Sequence, residues 1–278
     1  MRSVQSSQTS PATLLRQARF EVIPMRGVVE ECSFLPAGAT ITVTGSPRKG
    51  IDATIDLSEQ LVARGFNVVP HLMARLVRSL DHLKDILNRL AAARIEEVFV
   101  IGGDASVPAG AYDSATSLIA HMVQMENCPG CIGVASYPEG HPLIRSDLLL
   151  QALQEKQLYA NYMVTQICFD PGLIHKWLIY IREQGIQLPV YLGIPGVLKR
   201  QKLLEISLRV GVGDSTRFVR NHAGFVAQLM HRDTYSPDKL VSQTAALVSD
   251  PACRVRGFHI YTFNQCQATE HWRQRVIQ

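Results

Sequence analysis

The stretch DHLKDILNRLAAARIEEVFVIGGD, residues 81–104, decides the reading of the fold. Within Asp81–Arg94, Leu83, Ile86, Leu87 and Leu90 follow i, i+3, i+4, i+7 spacing. That places one apolar stripe along an amphipathic helix. Glu97–Gly102 is a short β-branched and aromatic run, which predicts a strand. The strand runs out into Gly102-Gly103-Asp104. Working outward, the same alternation recurs in both directions. Further strands are expected at Arg19–Ile23, Ala39–Thr44, Asn67–Leu72, Cys131–Ser136, Tyr162–Phe169, Leu188–Ile194 and Gly257–Phe263. Amphipathic stretches lie between them at Asp113–Met125, Ile144–Tyr159 and Pro171–Gln184, and Gly65 and Gly185 sit where helix C-caps belong.

Eight strand–helix units in 278 residues predict a single-domain α/β fold, the (β/α)8 TIM barrel. An open doubly wound sheet is the rival. It often carries a Gly-rich loop after its first strand, and FEVIPMRG (20–27) has no GxGxxG. The longest connection separates the seventh and eighth strands. It contains GVGDSTRFVRNHAGFVAQLM (211–230) and SPDKLVSQTAALVSD (236–250), which predict extra helices, one starting at Ser236-Pro237. Residues 1–18, rich in Ser, Gln and Thr, are expected to be a flexible leader, with the barrel over 19–278.

Composition narrows the classes. Hydrophobic residues make up 46% of the chain and charged residues 19%, enough apolar material for a full core. A net charge of +4, with no block of five Lys/Arg, gives no electrostatic footprint for nucleic acid or a membrane surface. No apolar run approaches the roughly 18 residues that span a bilayer, and the N-terminus has no apolar signal core. The expectation is a cytoplasmic protein whose six cysteines are free thiols. Its oligomeric state stays open, a homo-oligomer included.

In such a barrel, chemistry belongs at the C-terminal strand ends. The expected ends carry Thr44, His71, Asp104, Tyr137 to His141, Thr165, Gln166, Asp170 and Asn264. Most have a plain reading: a Thr at a strand end is commonly a cap, and Asp170 before Pro171 opens a helix. Glu21 stands apart, because a carboxylate in an apolar strand is costly unless function or pairing retains it. Asp104 follows two glycines that let backbone approach a ligand. Two carboxylates at one barrel mouth suggest acid–base or cation-stabilising chemistry. Cys128-Pro129-Gly130-Cys131 precedes the fifth strand, at the opposite face, and lacks the second pair a zinc site needs. No HxH or HExxH spacing occurs, so no metal is expected.

Several segments carry a resemblance. IGVASYPEGHP (132–142) resembles the signature of the methylenetetrahydrofolate reductase family, and MVTQICFD (163–170) resembles its ITQ-aromatic-aromatic-D. In the same chain order, FEVIP (20–24), TVTG (42–45), PHL (70–72), IGGD (101–104) and FHIYTFN (258–264) resemble FEFFPP, the second strand, the third strand, LRGD and FHFYTLN. The resemblance implies reduction of 5,10-methylenetetrahydrofolate to 5-methyltetrahydrofolate on a (β/α)8 barrel. FAD would pass on hydride taken from NADH or NADPH. Glu21 matches the family's acid, and Asp104 matches a carboxylate near flavin and pterin. Gln166 matches a pterin contact. Thr44, His71, Gly103, Asp104, Tyr137 and His141 match flavin contacts, and Lys156 resembles a further one across a one-residue gap. Phe218 is the candidate for an aromatic substrate contact in a segment unlike the family's.

Two departures bear on this reading. Ile101-Gly102 replaces Leu-Arg, removing a basic side chain, and GVGDSTRF lacks the usual loop pattern. They keep an alternative open: a folate-binding one-carbon or methyl-transfer enzyme on the same barrel, without flavin. A non-catalytic binding subunit fits less well, because a binder has little use for the acid at Glu21. Nothing in the chain matches the regulatory domain of animal relatives, so control by S-adenosylmethionine is not expected.

Overall fold

The computed structural model describes residues 10–45, 49–199, 201–202 and 234–278. Eight parallel strands close into a barrel: β1 (Arg19–Val22), β2 (Thr40–Val43), β3 (Asn67–Met73), β4 (Glu97–Ile101), β5 (Cys131–Ser136), β6 (Tyr162–Thr165), β7 (Val190–Pro195) and β10 (Val255–Tyr261). β10 pairs with both β1 and β7, which closes the ring. The remaining two strands, β8 (Leu198–Lys199) and β9 (Thr234–Tyr235), form a small antiparallel ladder beside it. Helices alternate with the barrel strands, as expected for the (β/α)8 fold.

The stripe read in residues 81–94 faces the barrel wall. Helix Leu80–Ala92 is capped by the Ser79 hydroxyl, which accepts from the His82 N–H, and it buries Leu83, Ile86, Leu87 and Leu90. Each such side chain contributes about 1.5–3 kcal/mol, and truncating Leu90 to Ala would cost about 2–5 kcal/mol. Asp170 caps helix Pro171–Glu183 through Oδ1, which accepts from the Gly172 and Leu173 N–H groups. Helices Asp238–Gln243 and Ala245–Ser249 occupy part of the long connection before β10.

Alternation along the strands divides two cores. Phe20 and Val22 of β1 belong to the layer between barrel and helices. Arg19, two residues from Glu21 on the same strand, reaches Glu97 of β4 and Tyr162 of β6, contacts that run through the barrel interior. Val69, Phe99, Tyr162, Val164 and Tyr191 fill that interior.

The structure corrects three expectations. Residues 11–18 are not loose: Pro11–Arg16 is a helix that buries Leu14 and Leu15, and the Arg273 guanidinium donates to the Leu15 carbonyl. The leader reading survives as an expectation only for residues outside the described set. The sixth strand ends at Thr165, not Phe169. Beyond it the Gln166 side-chain carbonyl accepts from the Ile167 N–H, and the Cys168 thiol donates to the Asp170 carbonyl, so local bonds replace the ladder. The third strand continues to Met73, which places His71 inside the barrel rather than at its rim.

Candidate active site

Glu21 is the centre of a polar cluster in the upper barrel interior. Its strand register sets it level with Thr42 of β2 and Tyr261 of β10. Asn264 holds the end of this strand from the opposite side. Its amide accepts from the Ile23 N–H at 2.8 Å and donates to the Ile23 carbonyl at 2.9 Å, and the Thr262 hydroxyl donates to the Glu21 carbonyl at 2.6 Å. Asn264 takes a left-handed φ of 62°, which Asn tolerates better than most residues.

Two histidines meet the Glu21 side chain. His259 Nε2 lies 3.0 Å from Glu21 Oε2 and His71 Nε2 lies 3.8 Å from the same oxygen. Both imidazoles are sealed, at 1% and 3% exposure, whereas the Glu21 side chain keeps 12%. Burial pushes the Glu21 carboxyl up to about 7, against a smaller downward pull from His71. Burial pushes His71 down to about 4, and His259 down to about 3 with Arg19 adding to the effect. At neutral pH both imidazoles are therefore uncharged, and burial holds the Glu21 carboxyl well above the usual carboxylate range. The Phe99 ring lies tilted beside His71 at 4.7 Å and the Tyr261 ring tilted beside His259 at 4.8 Å, so aromatic surface flanks both imidazoles.

A second group gathers at the rim. Tyr137 and His141 meet edge to face at 5.2 Å. Burial raises the Tyr137 phenol and the Asp104 charge raises it further; burial lowers His141 while Asp104 acts against that shift. Asp104, Tyr137 and His141 thus feel one another. Tyr137 also lies close enough to Tyr261 to act on it together with Glu21, which links the rim to the acid. Gly103 adopts φ +88°, and a Cβ on Gly102 would meet nothing within 4 Å. The space beside Gly102 is therefore open, whereas a Cβ on Gly103 would lie 3.2 Å from Met73 Cβ.

The remaining expected residues scatter more widely. Thr44 follows β2, its N–H donating to the Val22 carbonyl, and Gln166 follows β6, its N–H donating to the Ser136 carbonyl; both stand at C-terminal strand ends. Lys156 lies in the outer ring, on the last turn of helix Ser146–Lys156. It is buried and its ammonium is pushed down to about 8 by desolvation. It shares no hydrogen bond with the rim residues. Phe218 falls outside the described residues. Cys128 and Cys131 are free thiols, and Cys131 begins β5 beside Glu97, at the N-terminal end of the barrel.

The sequence reading missed His259. It is one alternating position of FHIYTF, and nothing local separates it from a satisfied core histidine. Only the register across β1 and β10 brings it to Glu21. On the outside of the barrel, His175 of helix Pro171–Glu183 also comes together with Asp250 and Cys253 of one turn before β10. Asp250 Oδ2 is 3.7 Å from His175 Nε2 and 3.6 Å from the Cys253 thiol, and its Oδ1 caps the turn Pro251–Cys253.

The family model for methylenetetrahydrofolate reductase matches residues 31–276. The chain belongs to the methylenetetrahydrofolate reductase family. Glu21 precedes the matched residues, so its place rests on the barrel register rather than on the match. A curated relative, methylenetetrahydrofolate reductase 1 of Schizosaccharomyces pombe, is 31% identical over 84 residues. That alignment spans 29% of this chain and 14% of the relative. Dihydropteroate synthase from Thermus thermophilus is a similar solved structure, with a TM-score of 0.41 and 14% identity over 94% of this chain and 93% of that one. A likeness that distant carries nothing about the site. Among the described residues, no helix is long and apolar enough to cross a membrane.

Proposed function

We propose that this protein reduces 5,10-methylenetetrahydrofolate to 5-methyltetrahydrofolate, with FAD as its bound cofactor and NADH or NADPH as electron donor. The observation that carries this reading is Glu21: a carboxylic acid inside the closed family barrel, 3.0 Å from a sealed imidazole, with 12% of its side chain exposed and its pKa pushed up to about 7 by burial.

The chemistry of the donor set fits a flavin. A phenol, an imidazole and a carboxylate, Tyr137, His141 and Asp104, gather at a rim where a Cβ on Gly102 would meet open space while Met73 packs against Gly103. The buried Thr42 hydroxyl and His71 Nε2 have no hydrogen-bond partner among the described residues, so polar capacity remains in the interior. Thr44, Gly103, Asp104, Tyr137 and His141 would hold the cofactor, with Lys156 a further candidate from the outer ring; His71, sealed at 3% exposure, would act on it only from inside the barrel. When bound, flavin supplies hydride to the one-carbon unit.

The protein's own residues do the rest. The imidazolidine ring of the substrate must open to an N5 iminium cation, which requires a proton at N10. Glu21 supplies that proton, directly or through one water. Asp104 places a negative charge by the developing cation, which favours the iminium. Gln166 orients the pterin from the end of β6, and Phe218 is the aromatic candidate to stack on it.

The test is anaerobic reduction of the purified protein's flavin by NADH or NADPH, followed by reoxidation with methylenetetrahydrofolate. Bleaching and recovery of the flavin band are expected, and the faster nucleotide identifies the donor. Protein that binds no flavin, or reduced flavin that folate leaves unoxidised, would overturn the reading.

A further inference from the structure

We propose that His259 is a positioning residue whose Nε2–H donates to Glu21 Oε2 in both protonation states of the acid, so that the transferable proton rides on Oε1. The inference rests on the proposed acid role of Glu21 and extends it to one oxygen atom.

Both histidine contacts fall on Oε2: His259 at 3.0 Å and His71 at 3.8 Å. Oε1 makes no hydrogen bond to the described residues, and the Glu21 side chain retains 12% exposure. Oε1 is therefore the oxygen available to a ligand. The imidazole itself is locked. His259 is 1% exposed and sits between Tyr261 at 4.8 Å and Phe99 and His71 at 6.4 Å.

The tautomer follows from the partners. His259 Nδ1 is buried with no hydrogen-bond partner among the described residues. A proton on Nδ1 would leave an orphan N–H in an apolar interior, and Nε2 would then have nothing to offer an ionised Glu21. A proton on Nε2 serves both states. When Glu21 is ionised, Nε2–H bonds a carboxylate oxygen. When Glu21 is protonated, Nε2–H bonds the carbonyl-like oxygen, Oε2, and the acid O–H is at Oε1. In the proton transfer the Oε1–H bond breaks and the N10–H bond of the folate forms. Glu21 is left as a carboxylate that still accepts from His259.

Other ionisable groups face this pair from three strands. His71 faces Glu21 from β3, and Tyr261 faces it from β10 with Tyr137 beyond. Arg19 acts on His259 from lower on β1. The positive charge of Arg19 and the lack of solvent keep His259 neutral, so it holds the proton's place rather than carrying the proton itself.

The experiment is an infrared and 13C NMR pH titration of the full-length protein labelled at glutamate carboxyls, with the Glu21 signal assigned by its loss in Glu21→Gln. In the wild type the signal should titrate near 7. His259→Phe removes the donor, so the ionised form loses its hydrogen bond and the titration should move up by about one to two pH units. The protonated carbonyl stretch should rise in frequency, because Oε2 no longer accepts. His259→Gln keeps an amide N–H within reach and should restore most of both signals. If Phe prevents folding, His259→Asn, whose amide is too short to reach Oε2, should give the same upward shift. An unmoved titration and stretch in either donor-free variant would overturn the proposal. A titration that responds to His259 in a protein that does not reduce folate would instead overturn the proposed function and leave the hydrogen-bond assignment standing.

Discussion

Met73 of β3 occupies the space that any side chain at position 45 would need. A Cβ built on Gly45 would lie 1.7 Å from Met73 Cε and 2.2 Å from its Sδ. The same methionine packs 3.2 Å from the place of a Cβ on Gly103. One flexible side chain thus spans the rim between the second and fourth strands, next to the residues proposed to hold the cofactor.

Gly45→Ala should therefore fold, because the clash falls on the movable end of a thioether. It should cost about 1–3 kcal/mol as an overpacked site. Gly193→Ala meets something stiffer: its Cβ would lie 2.1 Å from the Thr165 backbone carbonyl oxygen. This variant should be poorly folded, because two paired strands would have to separate. Urea unfolding of the two variants side by side would show the contrast, and equal stability would contradict it.

Glu21→Gln should leave nucleotide-driven flavin reduction intact and slow folate reduction by about 10²–10⁴-fold. In the wild type the protonated form is the competent acid, so the folate half-reaction should fall as pH rises through about 7. The stability sign follows from the same raised value. The folded protein holds the Glu21 proton up to about 7, the unfolded chain only to about 4.5. The contribution is full below about 4.5 and is lost as pH climbs to about 7. The stability of Glu21→Gln relative to wild type should therefore increase across that window, which melting curves recorded below and above it would show.

Asp104→Asn should weaken folate reduction and make the flavin easier to reduce. A negative charge near the ring disfavours the anionic reduced form, and the same charge favours the iminium. By analogy with an oxyanion-hole donor, the loss would cost about 2.7–4 kcal/mol in the folate half-reaction. Stopped-flow kinetics of both half-reactions with a redox titration would test this. An unchanged potential together with an unchanged oxidative step would remove Asp104 from the site.

Arg19 and Glu97 pair across the lower barrel interior, with the guanidinium also 4.5 Å over the Tyr162 ring and 4.2 Å over the Tyr191 ring. Arg19→Met should destabilise by about 3–5 kcal/mol, because it leaves a largely enclosed carboxylate without its partner. Adding Glu97→Leu should recover much of that loss. Chemical denaturation of the single and double variants measures the coupling, and simple additivity would sink this account.

Replacing Cys128 and Cys131 with Ser should leave turnover nearly unchanged. Cys131 starts β5 at the barrel's stability face and both thiols are free. Loss of turnover in a folded, flavin-containing double variant would place them in the wrong part of the molecule.

All eight barrel strands were legible in the sequence because each is a short β-branched or aromatic run, four of them followed by an amphipathic helical stretch, and those patterns are local. The asymmetry between faces was legible for the same reason: once strands have a direction, YPEGH and IGGD fall at one end and the CxxC at the other. What only the tertiary structure decided is the set of contacts between strands. From sequence His71 stands at the rim, because the apolar run ends at Leu72; pairing with β4 through Met73 places it inside. Residues 11–16 read as a loose leader because their two buried leucines find a surface only in distant parts of the chain, β10 and the final helix, whose Arg273 donates to the Leu15 carbonyl. His259 is the clearest case. Its role depends on β10 closing against β1, 238 residues earlier, and a hydrogen bond at that separation leaves no trace in local sequence. Glu21 itself announced a buried carboxylate, since charge in an apolar strand is conspicuous. How far its proton is held, and by which neighbours, required the closed barrel that strips water from one side of it.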